Sequence, residues 1–177
     1  MHYGQSWARR IVNVAAHWSV PVLALVTLVS LAPAHAGSEN WRLVRSADPR
    51  GGPDAVSIMQ TADLARSDVD FAGLMLRCRE QGFEVAVVLL KPFPPRAHPM
   101  AKLTTNGRTI EFTTTVIPPG VAVVLPTEAA ALVNGPWQTA SELAVEITDN
   151  DVAIHGVVAL AGLGPAVARL VSSCPAR

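Results

Sequence analysis

Hydrophobic and polar residues alternate in short runs along most of the chain beyond residue 40. Alternation with a period of two places every second side chain on the same side, which is the pattern of a β-strand with one buried face. The pattern predicts strands at residues 41–45, 55–60, 71–78, 83–90, 121–125, 142–148 and 152–160. Because no crossover helices separate these runs, the strands are expected to pair as antiparallel neighbours.

The segment 100–116, MAKLTTNGRTIEFTTTV, contains the clearest turn signal of the chain. Asn106 and Gly107 separate two β-prone runs, and this dipeptide favours the tight turn of a β-hairpin. The alternation in the second run predicts that Ile110, Phe112 and Val116 face the core, while the threonines between them face solvent.

Residues 83–90, FEVAVVLL, depart from simple alternation. Beyond Val85 both faces of this strand are apolar. Strands that are buried on both faces have this composition, so we expect a central strand that is covered on both sides.

The pattern becomes helical in two places. Residues 126–135 begin with Pro-Thr-Glu and end with Asn-Gly, which is typical of a short helix. Leu163, Val167, Leu170 and Cys174 recur at helical spacing and predict a helix over residues 163–173. The elements together predict a mainly β fold, an antiparallel β-sandwich or partly open barrel with a short helix and a C-terminal helix.

The first 36 residues have the features of a secretory signal peptide. Arg9 and Arg10 precede an apolar run, and Ala34 and Ala36 supply the small residues of a cleavage site before Gly37. A membrane anchor is the alternative, but the apolar run is short for a span of about 20 residues. We therefore expect a cleaved signal peptide at residues 1–36 and a single β-rich periplasmic domain at residues 37–177.

Cleavage changes the charge balance of the chain. The full chain carries 14 basic and 14 acidic residues, and the loss of Arg9 and Arg10 leaves 12 basic residues and a formal charge of about −2. This balance excludes a strongly basic surface for nucleic acid and supplies no polybasic patch for a membrane surface. We expect no nucleic-acid partner and no membrane span after signal cleavage.

The chain contains two cysteines, Cys78 and Cys174, and both follow the predicted signal peptide. An even pair in an exported domain is usually a disulfide. Cys78 shares a strand face with Leu74 and Leu76, and Cys174 continues the apolar stripe of the last helix. Because each cysteine points the same way as its apolar neighbours, we expect a disulfide that ties the C-terminal helix to a strand. Two separate buried thiols are the alternative.

Residues that could carry chemistry are few and lack recognisable spacing. Of the two histidines beyond the signal peptide, His98 lies in a proline-rich loop and His155 on the outward face of a strand. Neither has the close spacing of metal ligands. Acidic residues cluster in two predicted turns, around Asp68 and at residues 149–151, where aspartate is common for conformational reasons. We predict no catalytic residue, no cofactor and no metal.

The loop at residues 91–99, KPFPPRAHP, is the best candidate for contact with a partner. Its prolines restrict the backbone and so reduce the entropy lost on binding. Phe93 lies between Lys91 and Arg96, and aromatic and arginine side chains dominate affinity at many interfaces. We expect these three residues to form an exposed contact; a stiff connector between strands is the alternative. The tryptophans, Trp41 and Trp137, are expected in the core.

The order of a few residues along the chain also carries a resemblance. These are an early tryptophan, a strand ending in Arg-Cys and a closing helix that ends in cysteine, namely Trp41, Arg77, Cys78, Gly162, Leu163, Ala166 and Cys174. They resemble the VasI-type accessory proteins associated with type VI secretion, and the closing helix also resembles that of the invasion-associated locus B family. Both resemblances imply an exported, non-enzymatic protein of the bacterial cell envelope.

The sequence therefore favours an exported periplasmic binding or accessory protein without catalytic activity, whose partner is another envelope or secreted protein. One alternative is a small secreted hydrolase that uses His98 or His155 with a nearby acid. The other is an inhibitor that fills the active site of a secreted or host enzyme with a rigid loop. A histidine within about 3 Å of a carboxylate in a cleft would favour the hydrolase. The sequence does not indicate the oligomeric state.

Overall fold

A computed structural model describes residues 41–47, 51–80 and 82–175, and these residues fall within one compact unit. They form the strands β1 (Arg42–Ser46), β2 (Ala55–Thr61), β3 (Phe71–Arg79), β4 (Gly82–Leu89), β5 (Met100–Thr105), β6 (Arg108–Thr113), β7 (Thr115–Ile117), β8 (Ala122–Val124), β9 (Glu142–Asp149) and β10 (Val152–Ala159). The helices are α1 (Ala129–Val133) and α2 (Leu163–Ser173), and a 3-10 turn, Pro136–Gln138, follows α1. The predicted signal peptide lies outside the described residues.

The strands form two antiparallel sheets, which confirms the predicted fold class. The larger sheet has the order β1-β2-β3-β4-β8-β7, and the smaller has the order β10-β9-β5-β6. Inward-facing residues of both sheets and buried residues of α1 and α2 join one hydrophobic core. The result is a β-sandwich in which both helices pack against the core between the sheets.

Both tryptophans lie in the core, as predicted. Trp41 and Trp137 are each 1% exposed. The indole Nε1 of Trp41 donates to the carbonyl of Ala161 at 3.2 Å, and the carbonyl of Trp41 accepts from Arg169 at 3.1 Å. These bonds tie the chain just before β1 to the start and middle of α2, so the first and last elements of the domain are held together.

The predicted disulfide is present between Cys78 of β3 and Cys174, which directly follows α2. The Cα atoms of the two cysteines are 5.7 Å apart, and 96 positions of sequence separate them. Leu163, Ala166 and Leu170 of α2 are buried against the core on the same side of the helix. The disulfide therefore secures a helix that hydrophobic packing also holds.

The hairpin at Asn106–Gly107 is confirmed, because β5 and β6 pair from Thr105 and Arg108 outward. The prediction that its second strand continues to Val116 is wrong. Thr114 is buried and donates both its N–H and its hydroxyl to the carbonyl of Pro99, at 2.9 and 2.8 Å. These two hydrogen bonds to one carbonyl form a corner, and β7 then joins the larger sheet instead of the smaller one.

Ile110 faces inward, as predicted, but its side chain is only partly covered. Ile110 lies opposite Leu103, so it shares the inward-facing side of the smaller sheet. However, β6 is the last strand of that sheet, and the Ile110 side chain remains 40% exposed. Val116, predicted to face inward from the same run, is 5% exposed in the core of the sandwich, although it reaches the core from the larger sheet.

Candidate binding site

The proline-rich loop that follows β4 is fixed to the turn before β8. The N–H of Phe93 donates to the carbonyl of Gly120 at 3.0 Å. Gly120 has φ = 100°, and a Cβ at this position would collide with the Phe93 carbonyl oxygen. Only glycine fits so close an approach at a positive φ. The loop is therefore held in place by a backbone contact with a residue far along the chain, in addition to its prolines.

The prediction that Phe93 is an exposed contact residue is wrong. Its side chain is 6% exposed and belongs to the core cluster. Proline residues on both sides set the backbone direction, but the Gly120 contact turns the aromatic ring inward. Phe93 thus anchors the loop, and the side chains on either side of it remain at the surface.

The two cations of the loop are exposed, as predicted, but only one lies at a concave surface. Lys91 lines a cleft between the loop and the β9–β10 turn. Arg96 is exposed and does not line that cleft. The three residues predicted to act together therefore have three different environments: Lys91 is exposed at the cleft, Phe93 is buried but lines it, and Arg96 lies outside it.

The cleft has a volume of about 290 Å³ and a mainly apolar lining. Phe93 and Ile154, which line it, are buried, while Pro92, Pro94 and Val152 are exposed. Pockets of about 300 Å³ are at the small end of those that bind ligands. The size suits one large side chain or a small molecule.

Unpaired charges surround the mouth of this cleft. Asp149, Asp151 and Lys91 all line it. Within the described residues, none of these three groups forms a hydrogen bond or an ion pair through its side chain. Asn150 connects the two aspartates with φ = 50°, a conformation that asparagine tolerates better than most residues. The turn therefore presents two free carboxylates beside an apolar cleft.

His155 contacts a carboxylate, but at an exposed edge of the smaller sheet. Its Nδ1 lies 3.3 Å from Oδ2 of Asp68, and the two side chains are 58% and 51% exposed. The same carboxylate oxygen accepts the backbone N–H of His155 at 2.7 Å. No hydroxyl or thiol group in the described part of the chain forms a hydrogen bond with this imidazole, so a nucleophile is not in place beside it.

The contact between Asp68 and His155 belongs to a loop that covers the exposed edge of β10. The loop between β2 and β3 runs along β10, whose outer edge would otherwise expose its backbone groups. Asp63 and Asp68 donate their N–H groups to the carbonyls of Val157 and His155, and the hydroxyl of Ser67 accepts the N–H of Val157 at 2.9 Å. Covering an edge in this way prevents pairing with another chain. Asp68 is thus a structural residue of that edge.

The pH dependence of stability provides a test of this role. The hydrogen bond from the His155 backbone lowers the pKa of Asp68 most, and the adjacent imidazole lowers it further. Because the pKa is lower in the folded chain, the stabilisation is present above the unfolded value of about 3.9 and is lost as pH falls through the folded value. We expect Asp68→Asn to be less stable than wild type at pH 7 in urea unfolding, and the difference to shrink towards pH 3. A stability difference between Asp68→Asn and wild type that does not change with pH would contradict this role. Asp54→Asn, at an exposed site, serves as the control.

The other sites predicted from the sequence do not converge. His98 is exposed in the proline-rich loop, and its side chain has no hydrogen-bond partner in the described ranges. Across residues 41–47, 51–80 and 82–175, no three histidine, cysteine, aspartate or glutamate side chains are close enough to hold a metal ion. Arg77 and Arg79, beside the disulfide, both bond to Glu84.

Sequence reasoning identified both halves of the cleft but not their proximity. The sequence predicts a contact at Phe93 of the proline-rich loop and a solvated polar turn at residues 149–151, with no link between the two. The loop follows a strand of the larger sheet, and the turn joins two strands of the smaller one. The loop and the turn come together only because the two sheets pack against each other. Neither segment carries a local sequence pattern that predicts this packing.

Comparison of the chain with known protein families, with curated protein sequences and with solved structures finds no match. Among the described helices, none has the length and apolar character needed to cross a membrane.

Proposed function

We propose that this protein is an exported, non-catalytic binding protein of the cell envelope, which holds a partner protein through the cleft between the proline-rich loop and the β9–β10 turn. The observation that carries the proposal is the pairing of an apolar cleft with unpaired carboxylates, Asp149 and Asp151. A partner segment with a large apolar side chain next to a lysine or arginine has the complementary chemistry.

The rigidity of both walls supports binding. The loop is restrained by its prolines, by the buried Phe93 and by the bond to Gly120. The opposite wall is a tight turn between two paired strands. A site that is already in its binding conformation loses little entropy when the partner arrives. An apolar anchor supplies most of the affinity at such sites, while charges at the rim favour the correct partner and speed association.

Export is supported by the disulfide together with the signal peptide predicted from the sequence. Disulfides persist in oxidising compartments and are rare in the cytosol. The resemblance to VasI-type and invasion-associated locus B proteins points to the same compartment and to an accessory role. It stays a prediction from a few residues.

The hydrolase and inhibitor alternatives have weaker support. The His155 contact with Asp68 is exposed and is accounted for by protection of the β10 edge. An inhibitory loop would insert an exposed apolar residue into an enzyme, whereas Phe93 of the proline-rich loop is buried. A binding cleft beside the proline-rich loop gives a role to the unpaired carboxylates of Asp149 and Asp151.

Site-specific photo-crosslinking in the producing cells tests the proposal. A photoreactive phenylalanine analogue at Val152, which lines the cleft and is 37% exposed, should give one discrete crosslinked product. The double change Asp149→Asn and Asp151→Asn should remove this product, because the partner's cation loses its counter-charges. The control places the analogue at Thr109, an exposed position on β6. Identical products from both positions, or none from Val152, would contradict binding at the cleft.

A further inference from the structure

About half of the outer face of the larger sheet is apolar, and Ser57, Arg77 and Glu84 occupy the adjoining part of that face. Outward-facing residues from five strands form this apolar outer face, and most of them are half-buried: Met59, Met75, Ala86, Val88, Ala122, Val124 and Ile117. The core cluster, which joins inward-facing residues of β3 and β4 with the smaller sheet and both helices, contains none of them. Ala86 is 0% exposed, and the other six keep part of their surface accessible.

The strand at the centre of this face was predicted to be covered on both sides. In the structure β4 is central, and Val85, Val87 and Leu89 are buried on its inner side. Its outer side carries Ala86, which is also buried, and Val88, which keeps part of its surface accessible. The prediction therefore holds on the inner side and at Ala86, and Val88 is the outer position that a further layer could still cover.

The smaller sheet shows what a solvated outer face looks like in the same molecule. A row of alternating charges crosses it, in which Lys102 lies opposite both Glu111 and Glu146, and Glu146 lies opposite His155. Thr104 and Thr109 also lie on that face, with their hydroxyls 2.9 Å apart, and Ala144, Ala153, Val157 and Ala159 form its apolar part. The difference between the two outer faces indicates that only the apolar one is built for contact.

We infer that the apolar outer face is the interface of a homodimer, in which a second copy packs its own larger sheet against it. The two-fold axis of this dimer runs parallel to the strands, between β3 and β4. Each residue of β3 pairs with one residue of β4 in its own sheet. The axis places it opposite the same β4 residue of the partner. Met75 then faces the partner's Ala86, and Gly73 faces the partner's Val88. Large side chains thus meet small ones at the centre, as interdigitated packing requires.

The same axis matches charges at one end of the face. Arg77 pairs with Glu84 in its own sheet, so it lies opposite the partner's Glu84 in the dimer. It also places Met59 of β2 opposite the partner's Val124 of β8, because these strands flank the central pair. A two-fold interface must be complementary to itself, and every one of these contacts occurs twice.

The available area suits a dimer of moderate affinity. The five strands of the apolar outer face, about 4.8 Å apart and about six residues long on average, give a flat area of roughly 500 Å² per copy. Two copies therefore bury about 1,000 Å² or more once side-chain relief is included, which is near the lower limit for a specific interface. We expect association in the micromolar range.

Sedimentation velocity of the processed chain, between about 1 and 200 µM, tests the inference. The wild type should shift from monomer to dimer, and Met75→Glu should raise the dimer dissociation constant at least tenfold. Arg77, two residues along the same strand, can balance the new carboxylate in the monomer. Ala144→Lys is the matched control on the outer face of the smaller sheet, where Glu142 and Glu146 balance the new cation. Val88→Lys provides a second variant of the apolar outer face, and thermal unfolding checks that each variant folds.

The outcomes separate the possible occupants of the face. The inference is supported if the wild type dimerises, if Met75→Glu and Val88→Lys weaken the dimer, and if Ala144→Lys leaves it intact. A wild type that stays monomeric at 200 µM would overturn it, as would a dimer that only Ala144→Lys disrupts. If the processed chain is monomeric and Met75→Glu affects only the chain that retains residues 1–36, the face belongs to that segment, and the homodimer is wrong.

Discussion

Removal of the disulfide by the double change Cys78→Ser and Cys174→Ser should lower the free energy of unfolding by about 4 kcal/mol, the largest effect expected of any change proposed for this protein. The bond closes a loop across 96 positions of sequence. In the chain-entropy account, a cross-link over about 100 residues removes roughly 4.7 kcal/mol of unfolded-state entropy, and the realised gain is often somewhat smaller. For a domain of this size the melting temperature should fall by about 12 °C.

The folded structure should survive this change, because α2 has other contacts. Leu163, Ala166 and Leu170 remain buried, and Arg169 still binds the carbonyl of Trp41. Reduction of the wild-type protein should reproduce the melting temperature of the double variant, and Ser172→Ala at the exposed end of α2 should leave it unchanged. A reduced wild type that melts within about 2 °C of the oxidised protein would show that the bond contributes little.

Replacement of Phe93 by alanine should lower the free energy of unfolding by about 3 kcal/mol. Loss of a buried phenylalanine removes both its transfer free energy and the packing of its neighbours, which typically costs about 3–5 kcal/mol. The lower end applies here because Phe93 borders the cleft, so water and neighbouring side chains can partly fill the space. Arg96→Ala in the same loop should change stability by less than about 0.5 kcal/mol, since that side chain is exposed.

Urea unfolding of the two variants and of Phe93→Leu measures this difference. Leucine retains much of the apolar volume, so Phe93→Leu should recover a large part of the lost stability. An unchanged free energy of unfolding for Phe93→Ala would mean that the aromatic ring does not anchor the loop. One wall of the proposed cleft would then lack its support, and the binding proposal would fail with it.

Local periodicity predicted those features that depend on neighbouring residues. The alternation around Leu76 gave the direction of Cys78, and the helical stripe containing Leu170 gave that of Cys174, so the disulfide followed from two short segments. The Asn106–Gly107 turn set the register of its hairpin for the same reason. In each case the local preference and the tertiary environment agree.

Features that depend on distant contacts could not be predicted in this way. The corner at Thr114 requires the carbonyl of Pro99, and the burial of Phe93 requires Gly120. Prolines restrict the backbone of a loop, but they do not determine what its side chains meet. The cleft depends on both effects, since it forms only where the anchored loop approaches the β9–β10 turn.

The central claim is that the cleft recognises an apolar group next to a cation. The most direct measurement is a two-dimensional NMR titration of the labelled protein with phenethylammonium and, as a matched probe of opposite charge, phenylpropionate. The amide signals of residues 91–94 and 149–154 should shift with phenethylammonium at millimolar concentrations, as expected for a ligand of this size. Phenylpropionate should bind more weakly, and the change of Asp149 and Asp151 to asparagine should abolish the preference. Equal binding of both probes, or shifts confined to other parts of the protein, would contradict the account.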